Sequence, residues 1–198
     1  MSRFVTIILF CLVQTSTVLG QASIGLKLGI GLSTPHVAFS QSSSTDRSSP
    51  DGGRPGMTVG LITQIPLANK WWLKPAVQFA WKGFFERYES IEGYQYRLGN
   101  TMNYLEVPLT IVHTSGQKGT GFQLGGGPVL SYLLNPNFRG YALERRDIGL
   151  GLSTGYQEAI GFSINFSYTH GLTDLSKDKT SFSSLKNRFV AFTLGYLF

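Results

Sequence analysis

Three histidines, His36, His113 and His170, and a carboxylate inside an alternating apolar segment, Glu106, hold most of the chain's chemical potential. His170 is followed closely by Thr173, Asp174 and Ser176, a set that invites a hydroxyl nucleophile with a histidine base. Such a pair needs hydrogen-bond reach, and closeness in sequence is not that geometry. The spacing matches no triad, so His170 is read as structural and no catalytic residue is assigned. Gly149-Leu-Gly-Leu-Ser-Thr-Gly resembles a phosphate-binding loop in composition, but the strand-then-helix setting that such a loop needs is missing. Asn165-Phe-Ser matches a glycosylation sequon but falls inside an alternating segment, where it is read as chance. The single cysteine, Cys11, excludes a disulfide framework and leaves no cysteine pair for a structural zinc. No metal, cofactor or nucleic acid is expected.

The elements around these residues are strands. In the last twelve residues Val190, Phe192, Leu194, Tyr196 and Phe198 alternate with Ala191, Thr193 and Gly195. A period of two marks a strand with unlike faces, here one large and apolar, the other small. The same pattern recurs from Ile24 to Ser33, Met57 to Leu67, Trp71 to Gly83, Met102 to His113, Thr120 to Leu133, Asp147 to Tyr156 and Ile160 to His170. Pro75 removes a ladder donor and predicts weak pairing beside it. Gly126-Gly127-Pro128 predicts a bulge or bend. Long polar segments separate alternate strands: Thr34 to Gly56, Phe84 to Asn100, Leu134 to Arg146 and Gly171 to Lys186. The first of these reads as a disordered solvated loop. Short turns at Ala68-Asn69-Lys70, Thr114 to Gly119 and Gln157 to Ala159 make the remaining connections.

The N-terminus is a targeting segment. Arg3 precedes an apolar run from Phe4 to Val13, and Val18-Leu19-Gly20 supplies small residues before Gln21. That is the pattern of a cleavable secretory signal peptide over residues 1–20, leaving residues 21–198 as one β-domain. The apolar run is too short to span a bilayer as a helix.

Charged residues make up only 14% of the chain, well below the roughly 25% of soluble domains. The small faces carry Gly, Ser, Thr and Asn, which would make a poor soluble surface but fit the crowded inside of a narrow barrel. The large apolar faces then meet lipid. Strands of about ten residues cross a bilayer when tilted, and alternating long and short connections are the asymmetry of an outer-membrane barrel. Trp71, Trp72, Trp81, Tyr132, Tyr156, Tyr168, Tyr196 and Phe198 lie near strand ends, as interfacial girdles do. The fold expected is therefore all-β: an eight-stranded antiparallel up-and-down transmembrane β-barrel. A secreted lipocalin-like barrel is the rival; it would need a charged outer face.

Several stretches carry a resemblance. Gly25-Leu-Lys-Leu-Gly-Ile, Tyr104-Leu-Glu-Val-Pro-Leu, Gly125-Gly-Gly-Pro-Val-Leu-Ser-Tyr-Leu, Asp147-Ile-Gly-Leu-Gly-Leu-Ser-Thr-Gly, Tyr168-Thr-His-Gly-Leu-Thr-Asp-Leu and Lys186-Asn-Arg on to Phe198 occur in order along the chain. Together they resemble the PorT-like outer-membrane β-barrel family of the Bacteroidota. The resemblance implies residence in the outer membrane, with some members tied to a protein-secretion system and no single activity. Likeness to outer-membrane barrels also implies that Tyr196 and Phe198 form part of the signal read by the barrel-assembly machinery.

Within this reading Glu106 points inward, where a lone carboxylate would be costly. Lys27, Lys74 and Lys82 share its face by parity, so these four form a candidate lumen ion-pair cluster; which lysine meets Glu106 depends on the barrel's shear. Arg145, Arg146, Lys186 and Arg188 fall near the outer-leaflet headgroups and are candidate lipopolysaccharide contacts. The expected function is a structural or interaction role with a closed lumen and no catalysis. A component of a secretion or envelope-assembly complex is the first alternative. A lipid A-modifying barrel, by analogy with small barrel enzymes that use His and Ser near the outer leaflet, is the second.

Overall fold

A computed structural model describes residues 22–34, 36–39, 47–89, 94–135, 137–138, 141–177 and 182–198. The expected signal peptide, residues 1–20, lies outside these residues. Twelve strands follow in order: β1 Ser23–Ser33, β2 His36–Phe39, β3 Arg47–Ala68, β4 Trp71–Glu89, β5 Gln95–Thr114, β6 Gly121–Leu133, β7 Asn137–Phe138, β8 Tyr141–Ala142, β9 Arg146–Gln157, β10 Phe162–Gly171, β11 Phe182–Lys186 and β12 Arg188–Leu197. Eight of them close into a barrel in the order β1-β12-β10-β9-β6-β5-β4-β3, each pair antiparallel. That order is an up-and-down meander whose last barrel strand, β12, pairs with its first, β1, so no edge is left open.

The alternation in the sequence decides which face goes where. Leu26, Leu61, Leu124, Leu152 and Phe166, one from each of five barrel strands, are 51 to 69% exposed on the outer wall. Gly25, Gly29, Thr58, Gln123, Ser163 and Thr193 are buried on the inner one. An apolar outer wall around a polar interior is the arrangement of a barrel in hydrocarbon, and it removes the lipocalin-like alternative. The glycines of the phosphate-loop lookalike belong to this inner wall. A Cβ on Gly155 would lie 2.3 Å from the Ile164 carbonyl oxygen, and one on Gly149 would lie 2.8 Å from that of His170. Close strand packing thus accounts for Gly149 and Gly155.

One row of paired residues fixes the barrel's stagger. It runs from Gln157 through Ser163, Gly195, Lys27, Gly60, Gln78, Glu106 and Ser131 to Asp147. It leaves β9 at residue 157 and returns to it at residue 147, a shear of 10 residues. Neighbours around the lumen therefore sit at steadily changing depth.

Three expectations need correction. Residues 34–56 and 84–100 are not simply loops, because β3, β4 and β5 continue far beyond the other barrel strands, with pairs as distant as Arg47↔Glu89 and Glu89↔Gln95. A ladder needs only backbone partners, so polar side chains do not end it once the strands leave the apolar zone. Phe85 supports this overhang, with the Arg97 guanidinium 4.1 Å and that of Arg54 6.0 Å from its ring centroid. Residues 171–186 contain β11, which pairs with β2, and residues 134–146 contain the short β7–β8 hairpin. Finally, Gly126-Gly127-Pro128 makes no bulge. The β6–β9 register runs unbroken from Gly121↔Gln157 to Tyr132↔Arg146. On the other side the β5–β6 ladder lapses between Pro108↔Val129 and Ile111↔Gly126 without a register shift, since Pro128 has no N–H to give. Pro75 behaves likewise. Pairing of β4 with β3 lapses between Ile62↔Ala76 and Ile65↔Leu73.

Candidate functional site

The lumen is organised in layers, and β4 does most to set them. Its residues Lys74, Gln78 and Lys82 recur every fourth position on the inner face and are all buried. Gln78, Glu106 and Ser131 are successive members of the paired row on β4, β5 and β6. Gln78 Nε2 donates to Glu106 Oε2 at 2.7 Å, and Ser131 Oγ donates to Glu106 Oε1 at 3.2 Å. Lys82, four residues further along β4, places Nζ 2.5 Å from Glu106 Oε1. Its ammonium also lies 4.9 Å from the Phe189 ring centroid and 5.5 Å from that of Tyr104. Glu106 is thus satisfied at both oxygens at 2% exposure.

Lys74 belongs to a second layer, nearer the short turns. Its Nζ donates to Gln123 Oε1 at 2.9 Å and Gln157 Oε1 at 2.7 Å, while Gln123 Nε2 donates to Gln157 Oε1 and to the Gly119 carbonyl. Lys27 stands between glycines, opposite Gly60 on one side and Gly195 on the other. The four residues grouped by parity are therefore not one cluster. Lys82 is bound to Glu106, Lys74 to two glutamines, and Lys27 joins Lys74 in lining a cavity of about 110 Å³ between the layers.

The end bearing the long connections is closed by apolar side chains. Phe84, Met102, Tyr104 and Leu133 from the barrel strands meet Leu143, Leu175 and Leu185 from the connections, all buried. Backbone hydrogen bonds tie the connections together: Leu133 N to Arg145 O, Glu144 N to Leu175 O and Leu175 N to Leu185 O, at 2.6 to 2.9 Å. Glu144 pairs with Lys177 at 3.4 Å, and that hydrogen bond holds its carboxyl below the usual range. Asp174 Oδ1 accepts from the backbone N–H of Ser176 and of Leu185. Sequence reasoning missed this plug. Its signal was available in Leu133, which shares inward parity with Gln123, and in large apolar residues within otherwise polar connections.

The remaining candidates lie on the outer wall and rim. Arg145 Nη1 donates to the Tyr132 hydroxyl at 3.0 Å, and Arg146 is exposed beside it. Lys186 is half-buried at the end of β11 opposite His36, and Arg188 opens β12 opposite His170. The four cations thus form two pairs separated by β10. His170 Nδ1 shares a 3.1 Å hydrogen bond with the Tyr168 hydroxyl, Thr173 Oγ1 accepts from Ile148 N, and Asp174 serves the connections. Each of these contacts fastens structure. His113 packs edge-on to Trp71 with centroids 5.0 Å apart. At the C-terminus the Tyr196 and Phe198 rings meet at 5.5 Å, and the Phe198 N–H donates to Ile24 O. Among the described residues no group of His, Cys, Asp and Glu could hold a metal ion.

A protein-family model described as "Outer membrane protein beta-barrel domain" matches residues 14–177. No curated protein matches the sequence. Similar solved structures include the outer membrane protein OprG of Pseudomonas aeruginosa, 13% identical, covering 89% of this chain and 96% of that one at a TM-score of 0.49. Neisserial surface protein A is also 13% identical, with coverage of 89% and 99% and a TM-score of 0.45. Ail of Yersinia pestis, determined in a phospholipid bilayer nanodisc, is 16% identical, with coverage of 88% and 99% and a TM-score of 0.44.

Proposed function

The chain belongs to the outer membrane protein beta-barrel domain family, and from that premise we propose that it is a closed, non-enzymatic barrel with a structural or interaction role. The observation that carries this reading is the filled lumen. A satisfied Glu106–Lys82–Gln78–Ser131 layer and an apolar plug above it occupy the space a conducting path would need. The overhang of β3, β4 and β5 beyond the barrel then offers the surface through which it acts.

The finer reading places the chain in the PorT-like subtype, as a member of a secretion or envelope-assembly complex. Its support is the ordered set of short motifs from Gly25 to Phe198. Export would use a cleaved signal peptide, insertion would use the barrel-assembly machinery reading Tyr196 and Phe198, and lipopolysaccharide would meet the rim cations. Affinity capture from cross-linked outer membranes, coupled to mass spectrometry of lipid A, tests these roles. A stable set of envelope proteins with unchanged lipid A is the expected result. Altered lipid A acylation that depends on His170 would replace this reading with an enzymatic one.

A further inference from the structure

The cavity between the two polar layers is lined by charge of one sign only. Lys27 and Lys74 line it together with Thr110, Ser163, Asn165 and Thr193, and among the described residues no carboxylate does. Lys74 uses two of its three ammonium donors on Gln123 and Gln157. Lys27 Nζ makes no hydrogen bond or ion pair with a described residue. Glu106 acts on it through space alone, both of its oxygens being taken. The residues paired with Lys27 on both sides, Gly60 and Gly195, carry no side chain.

Lys27 is half-buried, and an ammonium group held in a narrow lumen without a hydrogen-bonded counter-charge is costly. A negative charge in the cavity supplies that partner. We propose that this cavity is a binding site for one small inorganic anion, of halide to tetrahedral-oxyanion size, held between Lys27 and Lys74 with hydroxyl and amide donors from the wall. The volume suits that class. By the measure on which one water needs about 10–15 Å³, the cavity's 110 Å³ leaves room for a small anion together with several waters. Gln157 and Leu197 line the cavity toward the short turns, and the apolar plug closes the other end.

The test uses the purified, refolded full chain and bromide or chloride as the probe. Crystals soaked in bromide and measured at the bromine absorption edge should show an anomalous peak within hydrogen-bond distance of Lys27 Nζ. In detergent solution the protein should broaden the chloride NMR line, and bromide should compete the broadening away. Lys27→Met keeps the length and removes the charge, so it should weaken chloride binding by about tenfold or more, the order expected when a charge-assisted contact is lost. Lys70→Met, in an exposed turn, should change nothing. A cavity without a bromide peak, or chloride broadening unaltered in Lys27→Met, would overturn the proposal in favour of a water-filled interior. If Lys27→Met does not refold, the bromide map of the unaltered protein decides.

Discussion

Glu106 and Lys82 are each almost fully enclosed, so their ion pair cannot lean on water. Removing one partner of a buried pair typically costs about 3–5 kcal/mol, because the other charge is stranded, whereas replacing both with apolar groups is often neutral. Lys82→Met should therefore lower the urea midpoint of the refolded barrel sharply. Lys82→Met combined with Glu106→Leu should recover most of the loss, by the non-additivity that neighbours show. Additive losses in the double variant would mean that the pair is not the unit. At this scale the sequence was half legible. Parity alone placed Lys27, Lys74, Lys82 and Glu106 on one face. Parity could not choose between Lys82 and Lys74, which stand four residues to either side of Gln78, the residue opposite Glu106.

The strands were legible wherever one face meets hydrocarbon, since large and small residues must then alternate. Legibility failed where that demand lapses. In the outer halves of β3, β4 and β5 the regular alternation lapses and backbone pairing holds the strands, and Leu143, Leu175 and Leu185 reveal their role only once separate connections converge. Two predictions belong to elements. Placing a charge in the plug, as in Leu175→Asp with Leu185→Asp, should loosen the connections. Proteolysis of intact cells should then cut the residues 134–146 and 171–186 connections faster, while the heat-modifiable mobility of the barrel stays unchanged; unaltered cleavage would show that these leucines do not hold the closure. At the other end, deleting Phe198 removes the aromatic contact with Tyr196 and the hydrogen bond to Ile24 that joins β12 to β1. Outer-membrane levels of folded barrel should fall while export continues, and normal levels would count against the assembly role.

The whole molecule is an apolar cylinder with cations at its outer rim and a filled interior. Arg145, Arg146, Lys186 and Arg188 sit in two pairs on that rim, where lipopolysaccharide phosphates would be within reach of snorkelling side chains. Changing all four to Gln should lower thermal stability more in lipopolysaccharide than in neutral detergent; equal losses in both would mean that these charges do not read the lipid. The interior carries the larger claim. Barrels of about eight strands have lumens that side chains can fill, and open aqueous channels appear in those with sixteen or more. Here two polar layers and an apolar plug do the filling. Planar-bilayer recording on the purified, refolded protein tests this most directly. A closed lumen predicts a quiet membrane at all voltages that the bilayer tolerates, and stable, porin-sized steps that persist after contaminating porins are removed would contradict it.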